Sequence, residues 1–252
     1  MRPSLRIAVL QCDISAKQAH LKLPPDSYTG PFLPLLHSAA EALNLVDTDA
    51  LHITGYDVIY AQEYPALADV DALLLTGSKY DSFANDPWIL KLVEYTKAAI
   101  QDHRVKLVGV CFGHQIIARA LGAEVGRGEA GWEIAVCDVA LTEQGRKVFG
   151  RDVLRIQQMH QDVVFDCPSH VMRLGSSPQC AVQGMYVSGK FVTIQGHPEF
   201  DEQVVTEIVR KRAQRGLSTE KESEGALERA GLAHDGVVVA VGILRFLLGE
   251  VD

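Results

Sequence analysis

The chain has 252 residues, of which 47% are hydrophobic and 22% charged, a balance typical of a globular protein with one sizeable core. Its formal net charge of −8 disfavours nucleic acid and anionic membranes as partners, because phosphate contacts need clustered lysine and arginine. Five cysteines without a Cys-x-x-Cys pair disfavour a disulfide framework and a zinc site, and they predict a reducing, cytoplasmic location. The longest apolar run, Val237–Leu244, is too short to cross a bilayer.

Short apolar runs alternate with helical patterns over the first half of the chain. The runs predict strands buried on both faces, at Leu5–Leu10, Asp57–Tyr60, Ala72–Leu75 and Lys106–Val110. Helical spacing predicts helices at Phe32–Leu43, Trp88–Ile100 and Phe112–Leu121, the last of them closed by Gly122. This alternation predicts right-handed βαβ units in a three-layer α/β fold, with helices flanking a mostly parallel sheet.

From about Trp132 the pattern changes to closely spaced strands that extend the sheet with mixed or antiparallel pairing. They are predicted at Glu133–Leu141, Val153–Met159, Val171–Leu174, Cys180–Val187 and Phe191–Ile194. The segment 126–128 is interpreted as a turn and 188–190 as a hairpin turn. Helices are predicted at Asp201–Arg215 and Val237–Leu248, and the capping-box spacing of Thr219 and Glu222 predicts a short exposed helix between them. Nothing resembles a linker, so residues 1–252 are predicted to form a single domain.

The strongest chemical signal lies where an apolar strand runs into a helix at Cys111. The segment 107–115 reads LVGVCFGHQ, with Gly109 and Gly113 two residues to either side of the cysteine. Glycine removes Cβ atoms that would collide in so tight a turn, and the helix N-terminus favours a thiolate. A buried structural cysteine is the competing interpretation, and it is the one given to Cys12, Cys137, Cys167 and Cys180. Cys111 is therefore the candidate nucleophile.

A second segment, VTIQGHPEF at 192–200, supplies a candidate base. Pro198 favours an extended conformation at His197, and residues two apart in an extended chain point to the same side. Glu199 can therefore orient the imidazole, as the third member of a triad does. Gly196 is expected to let this backbone pass close to the cysteine turn. A loop histidine beside an exposed acid would be the better interpretation if the cysteine turn were missing.

These segments resemble a known family. GVCFGHQ at 109–115 and GHPEF at 196–200 resemble the two signatures of class I glutamine amidotransferase domains. LLTGS at 74–78 is similar to the family's oxyanion strand and loop, and MHQD at 159–162 to the segment whose backbone helps to hold the substrate's amino-acid end. The resemblance implies a flavodoxin-like fold, a Cys111-His197-Glu199 triad and no metal or organic cofactor. It also implies an oxyanion hole at the N–H groups of Gly77 and Phe112, and substrate contacts from Ser78, Gln115, His160, Gln161 and Asp162.

Further details favour particular members of the family. TGSKYDSF at 76–83, NDPWI at 85–89 and GW at 131–132 are similar to plant γ-glutamyl peptidases, which cleave glutathione conjugates, and to fungal GMP synthase-like proteins. Ser78 and Gln161 stand where amidotransferases that make GMP carry glycine, which implies that the substrate's amino-acid end is held differently. Without an ATP-pyrophosphatase domain or a glycine-rich phosphate loop, the chain is not expected to make GMP by itself.

Three functions remain open at this stage. The first is a stand-alone hydrolase that splits a γ-glutamyl amide bond in glutamine, a γ-glutamyl peptide or a glutathione conjugate, through a γ-glutamyl thioester. The second is a glutaminase subunit that supplies ammonia to a separate synthase partner. The third is a non-catalytic binding module, which the complete triad disfavours. The expected ligand is in each case a small γ-glutamyl molecule.

Overall fold

The computed structural model describes residues 4–13, 30–45 and 51–251. The strands are β1 (Leu5–Gln11), β2 (Leu51–Asp57), β3 (Ala72–Leu75), β4 (Lys106–Val110), β5 (Val125–Arg127), β6 (Glu133–Leu141), β7 (Val153–His160), β8 (Asp162–Val164), β9 (Met172–Ser176), β10 (Gly184–Val187) and β11 (Phe191–Ile194). The helices are α1 (Phe32–Ala42), α2 (Pro87–Gln101), α3 (Phe112–Ala120), α4 (Glu143–Phe149), α5 (Glu202–Gln214), α6 (Glu220–Ala230) and α7 (Gly236–Leu247), with a 3₁₀ turn at Leu67–Asp69.

Nine strands form one sheet in the order β2-β1-β3-β4-β11-β10-β9-β6-β7. The first five are parallel, whereas every pair from β11 to β7 is antiparallel. The predicted α/β architecture with an antiparallel extension is therefore confirmed. The strand pair β5 and β8 forms a separate antiparallel ribbon.

Helices cover both faces of the sheet, as the contacts of the β1 side chains show. Ile7 and Val9 belong to an apolar cluster that includes α1, α4 and α7, whereas Ala8 and Leu10 belong to one that includes α2 and α3. Successive residues of a strand face opposite sides of the sheet. The two clusters therefore lie on its two faces, each between the sheet and one helix layer of a three-layer fold. No helix in the described ranges is long and apolar enough to cross a membrane.

The strand predicted at Asp57–Tyr60 is wrong. The strand lies earlier, at Leu51–Asp57, and pairs in parallel with β1 at the edge of the sheet. Its residues alternate in exposure up to Gly55, so it lacks the continuous apolar run of a central strand. The Asp57 carboxylate accepts backbone N–H groups of Ile59, Tyr60 and Ala61 at 2.9, 2.9 and 3.2 Å, which fixes a turn where the strand was expected.

The strand predicted at Cys180–Val187 begins only at Gly184, and short elements account for the other differences. The predicted turn at 126–128 lies partly in β5, which pairs with β8 through Arg127 and Asp162. Helix α4 was not predicted, because its seven residues are too few for helical periodicity; the Thr142 hydroxyl accepts the Gly145 N–H at 3.1 Å, and Gly150 ends it with a φ of 67°. The hairpin turn around Gly189 and the Thr219 capping box are confirmed.

Helix α3 packs so closely on β3 that no side chain fits at Gly113. A Cβ atom there would lie 2.2 Å from the Leu75 carbonyl oxygen. We expect Gly113→Ala to lower the free energy of unfolding by about 3 kcal/mol or more, because the clash is with backbone that cannot rotate away. Urea denaturation measures the change.

The matched control is Gly225→Ala in α6. The nearest atom to a Cβ at Gly225 is the flexible end of Arg229 at 3.4 Å, so this change is expected to stabilise the helix by about 0.5 kcal/mol or more. Equal stability of the two variants would contradict the close packing of α3 on β3.

Candidate active site

The turn between β4 and α3 holds Cys111 in a strained backbone conformation. Its φ of 51° and ψ of −106° lie outside the regions that side-chain-bearing residues favour, at a cost of about 1–3 kcal/mol. Two hydrogen bonds hold the turn: the Cys111 N–H donates to the Ile194 carbonyl at 2.9 Å, and the Gly113 N–H donates to the Thr76 carbonyl at 3.1 Å. A Cβ at Gly109 would lie 2.7 Å from the Gly113 carbonyl oxygen, so the turn also needs that glycine.

His197 follows β11, the strand beside β4, and is held on three sides. Its backbone N–H donates to the Gln157 carbonyl at 2.8 Å, and its ring stacks on Phe200 at a centroid distance of 4.0 Å. Its Nδ1 lies 2.8 Å from the Glu199 carboxylate, and both side chains are at most 5% exposed. Gly196 faces β7, where a Cβ would lie 2.9 Å from Ile156; the expectation that it serves the approach to the cysteine turn is wrong.

The loop after β3 brings Gly77 against both Cys111 and His197. A Cβ built on Gly77 would lie 2.7 Å from the Cε1 atom of His197 and 3.6 Å from the Cβ of Cys111. The backbone N–H groups of Gly77 and Phe112 make no hydrogen bond to the part of the chain that the structure describes. Three loops at the ends of parallel strands therefore meet at one point, with two N–H donors beside a thiol.

The electrostatics of this point favour a protonated His197. Burial on its own lowers the pKa of His197, but the neighbouring Cys111 and Glu199 side chains, by their charge and by hydrogen bonds, raise that pKa to about 10. An imidazolium that keeps its proton at neutral pH stabilises a thiolate beside it. The structure therefore brings a cysteine, a histidine and a carboxylate together, the three groups of the predicted triad.

A cleft of about 740 Å³ opens above Cys111 and His197. All five side chains predicted to contact substrate line it, namely Ser78, Gln115, His160, Gln161 and Asp162. The Ser78 hydroxyl accepts the Tyr80 N–H at 3.2 Å, and the Gln161 carbonyl accepts the Gly128 N–H at 2.9 Å. The structure thus places these residues together, at the mouth of the cysteine turn.

The carbonyl of Asp162 organises one end of the cleft. It accepts the Nε2 amide of Gln115 at 2.9 Å and contacts Nδ1 of His160 at 3.1 Å. The Gln115 amide also donates to Oε1 of Gln195 at 3.0 Å, which uses its second proton. Only the side-chain oxygen of Gln115 is therefore left, and it can accept a hydrogen bond from a ligand.

The remaining histidine interactions are structural. Nε2 of His160 lies 3.0 Å from the buried carboxylate of Glu133. Nδ1 of His114 lies 2.7 Å from the Thr193 hydroxyl, and burial, with a smaller effect of His160, lowers the pKa of His114 to about 3. A neutral, fully buried His114 supports helix α3 and cannot serve as the base for Cys111.

Two features of the cleft were missed in the sequence. Arg127, interpreted as part of a turn, bridges the carboxylates of Asp81 and Asp162 across the cleft. Burial raises the pKa of Asp162, and Arg127 opposes that shift. Arg212 lies over the ring of Trp132 at 3.6 Å. These pairs join residues 35 to 80 positions apart, and no local pattern indicates them.

One group among the described residues carries three side chains of the kinds that bind metals. Ligand atoms of Glu133, His160 and Cys180 lie within 4.8 Å of one another in the interior. Both ring nitrogens of His160 already face oxygen atoms, and burial raises the pKa of the Cys180 thiol to about 12. In this structure the group is therefore a hydrogen-bonded cluster next to the cleft.

Comparisons with known proteins agree with this geometry. Residues 43–213 match the model of the family described as glutamine amidotransferase class-I. A glutamine amidotransferase-like protein of Schizosaccharomyces pombe is 40% identical over 190 residues, which cover 74% of this chain and 77% of the relative. Gamma-glutamyl peptidase 4 of Arabidopsis thaliana is 33% identical over 156 residues, which cover 58% of this chain and 62% of the relative. A glutamine amidotransferase of Thermotoga maritima has the same fold, with a TM-score of 0.72, 19% identity and coverage of 97% and 98%.

The raised pKa of His197 predicts how Cys111 reacts with iodoacetamide. Because the ring keeps its proton until the pH approaches about 10, the alkylation rate is expected to change little between pH 6 and 9. In His197→Ala the cation is gone, and the rate at pH 6 is expected to fall roughly tenfold and then to rise with pH. Mass spectrometry of the Cys111 peptide measures both profiles, with Cys111→Ala as the background for the other thiols. A wild-type alkylation rate that rises steeply with pH would contradict a Cys111 thiolate stabilised by protonated His197.

Proposed function

The chain belongs to the class I glutamine amidotransferase family, and we propose that it hydrolyses γ-glutamyl amide bonds with Cys111 as the nucleophile. The observation that carries the proposal is the meeting of Gly77, Cys111 and His197 at the floor of one cleft. A thiol on a strained turn, an imidazole with a raised pKa and unpaired backbone N–H donors are the groups that acyl transfer to sulfur requires.

The first half of the proposed reaction forms a thioester. The Cys111 thiolate attacks the γ-carbonyl carbon, and the carbonyl electrons move onto oxygen. His197 then gives its proton to the amide nitrogen, the C–N bond breaks, and ammonia or an amine leaves. Glu199, bonded to Nδ1 at 2.8 Å, keeps Nε2 of the ring toward the reacting atoms.

The second half consumes water. His197, now neutral, takes a proton from a water molecule as the water oxygen attacks the thioester carbon. The C–S bond breaks, glutamate leaves, and the thiolate–imidazolium pair is restored. The N–H groups of Gly77 and Phe112 are proposed to bind the oxyanion in both halves, each contributing about 3 kcal/mol of barrier reduction.

The substrate's amino-acid end is proposed to lie at the Asp162 end of the cleft. The free side-chain oxygen of Gln115 and the carboxylates of Asp81 and Asp162 suit an α-ammonium group, and Arg127 between those carboxylates suits an α-carboxylate. Ser78, His160 and Gln161 complete this end of the cleft.

A stand-alone γ-glutamyl hydrolase is the preferred activity. The likeness to Arabidopsis thaliana proteins named γ-glutamyl peptidases, at 33% and 35% identity, supports it. Glutamine, glutathione and a glutathione conjugate, each incubated with the purified protein, test the choice by glutamate release. Turnover of the peptides without any partner supports the hydrolase, whereas glutaminase activity that needs a synthase would support the ammonia-supplying subunit.

Cys111→Ala is expected to reduce glutamate release by roughly a thousandfold or more, because no other group in the cleft can form the thioester. Its melting temperature is expected to stay close to that of the wild type. Cys137→Ala, a half-buried cysteine in β6, is the matched control and is expected to keep full activity. Turnover retained in Cys111→Ala would refute the mechanism, and no reaction of Cys111 with a glutamine-mimicking diazoketone would favour a binding module.

Gly77→Ala tests the loop beside the thiol. The added Cβ would lie 2.7 Å from Cε1 of His197, so the ring must move away from Cys111 and the oxyanion donor must shift with it. We expect kcat to fall by roughly a hundredfold, with a much smaller change in stability than Gly113→Ala causes. A rise in KM alone, at unchanged kcat, would contradict the role of this loop.

A further inference from the structure

The charges that line the cleft are distributed unevenly. Lys79 pairs with Asp13 at 2.5 Å, and Arg127 pairs with two carboxylates at the Asp162 end. Arg212 and Arg215, from the last turn of α5 and its end, also line the cleft. Neither forms a direct ion pair among the described residues, although the charge of the exposed Glu222 acts on Arg212. In a chain with a net charge of −8, an anion in the cleft would find there two cations that no carboxylate contacts directly.

Arg212 is held in one orientation. Its guanidinium carbon lies 3.6 Å from the centre of the Trp132 ring, and its Nη2 donates to the Leu217 carbonyl at 3.1 Å. Its Nε atom is shielded from solvent, whereas Nη1 is not among the buried atoms and makes no hydrogen bond in the described part of the chain. A stacked guanidinium with an unused N–H is prepared to bind a carboxylate, because little side-chain entropy remains to be lost.

Packing connects this cation to His197 through two aromatic side chains. Trp132 and Phe200 pack against the same small apolar cluster, and Phe200 stacks on the ring of His197. The leaving nitrogen must face His197 to receive its proton, so the leaving group extends toward that side. Gln115 and Asp162, which suit the glutamyl end, form a separate group joined by their own hydrogen bonds.

We propose that Arg212, assisted by Arg215, forms a subsite for a carboxylate on the leaving amine. The inference rests on the proposed hydrolysis and narrows its substrate: a γ-glutamyl peptide with a free C-terminal carboxylate is cleaved in preference to glutamine, whose leaving group is uncharged ammonia. Arg212 is a specificity-determining residue in this role, because it contacts the part of the substrate that leaves.

A purely structural role makes a different prediction. Cations in the last turn of a helix stabilise its dipole, and the bond from Arg212 to the Leu217 carbonyl closes the end of α5. Loss of that role would lower stability and affect every substrate equally. A carboxylate subsite instead changes the ratio between two substrates that differ only in their C-terminal charge.

The test compares γ-glutamyl-alanine with γ-glutamyl-alaninamide on the full chain. The wild type is expected to show a kcat/KM about tenfold or more higher for the free acid. Arg212→Gln, and more so Arg212→Gln with Arg215→Gln, are expected to bring that ratio close to one. Arg212→Lys keeps the charge without the planar fork and is expected to give an intermediate ratio.

Arg210→Gln is the matched control, since Arg210 is exposed on the same helix and does not line the cleft. It is expected to leave the ratio unchanged. A wild-type ratio near one would overturn the subsite. An equal fall of kcat/KM for both substrates in Arg212→Gln would mean that Arg212 binds the α-carboxylate of the glutamyl end or has a structural role. Either result contradicts the inference.

Failure of the hydrolysis itself is a separate outcome. If the wild type cleaves neither dipeptide, the proposed function fails, and calorimetric titration of Cys111→Ala with the same two dipeptides still tests the subsite. Binding of the free acid about tenfold tighter than the amide, lost in Cys111→Ala with Arg212→Gln, would support it. Equal binding of both would overturn it.

Discussion

The backbone of Cys111 is the constraint on which the site depends. A positive φ at a residue with a side chain is costly, and this turn persists because β4, β11 and the loop after β3 each hold one side of it. The Cys111 N–H bonds to Ile194, three residues before His197, so the bond that fixes the nucleophile also fixes the strand that delivers its partner. Gly77 reaches the same point because β3 lies beside β4 in the sheet. The geometry of three loops is thus set by one parallel register.

Electrostatics divide the cleft into two ends. Around the Asp162 carbonyl, amide and imidazole groups are joined by hydrogen bonds and by the bridging guanidinium of Arg127. Around Arg212, a cation is stacked on an aromatic ring, with Glu222 as an electrostatic neighbour but no direct ion pair in the described ranges. His197, whose pKa is raised by its neighbours, lines the same cleft. A ligand with an ammonium at one end and a carboxylate at the other would match this distribution, whereas a neutral leaving group would use only half of it.

Local patterns predicted the parts of the fold that depend on neighbours in sequence. The central strands Ala72–Leu75 and Lys106–Val110 are continuous apolar runs, and their predicted bounds match those observed. The strand at Leu51–Asp57 was misplaced because an edge strand with alternating exposure lacks that signal. Helix α4 and the β5–β8 ribbon are too short for periodicity to indicate them. Burial by distant elements, and not local preference, decides such segments.

The same division applies to the site. Sequence patterns were enough to predict the nucleophile turn, the histidine two residues before its carboxylate and the family to which they belong, because glycine, proline and alternation act within a few residues. Three contacts became known from the fold alone: Gly196 faces β7, Arg127 bridges Asp81 and Asp162, and Arg212 lies on Trp132. Those contacts join residues far apart in the chain, so they depend on the order of strands in the sheet, which no local pattern encodes.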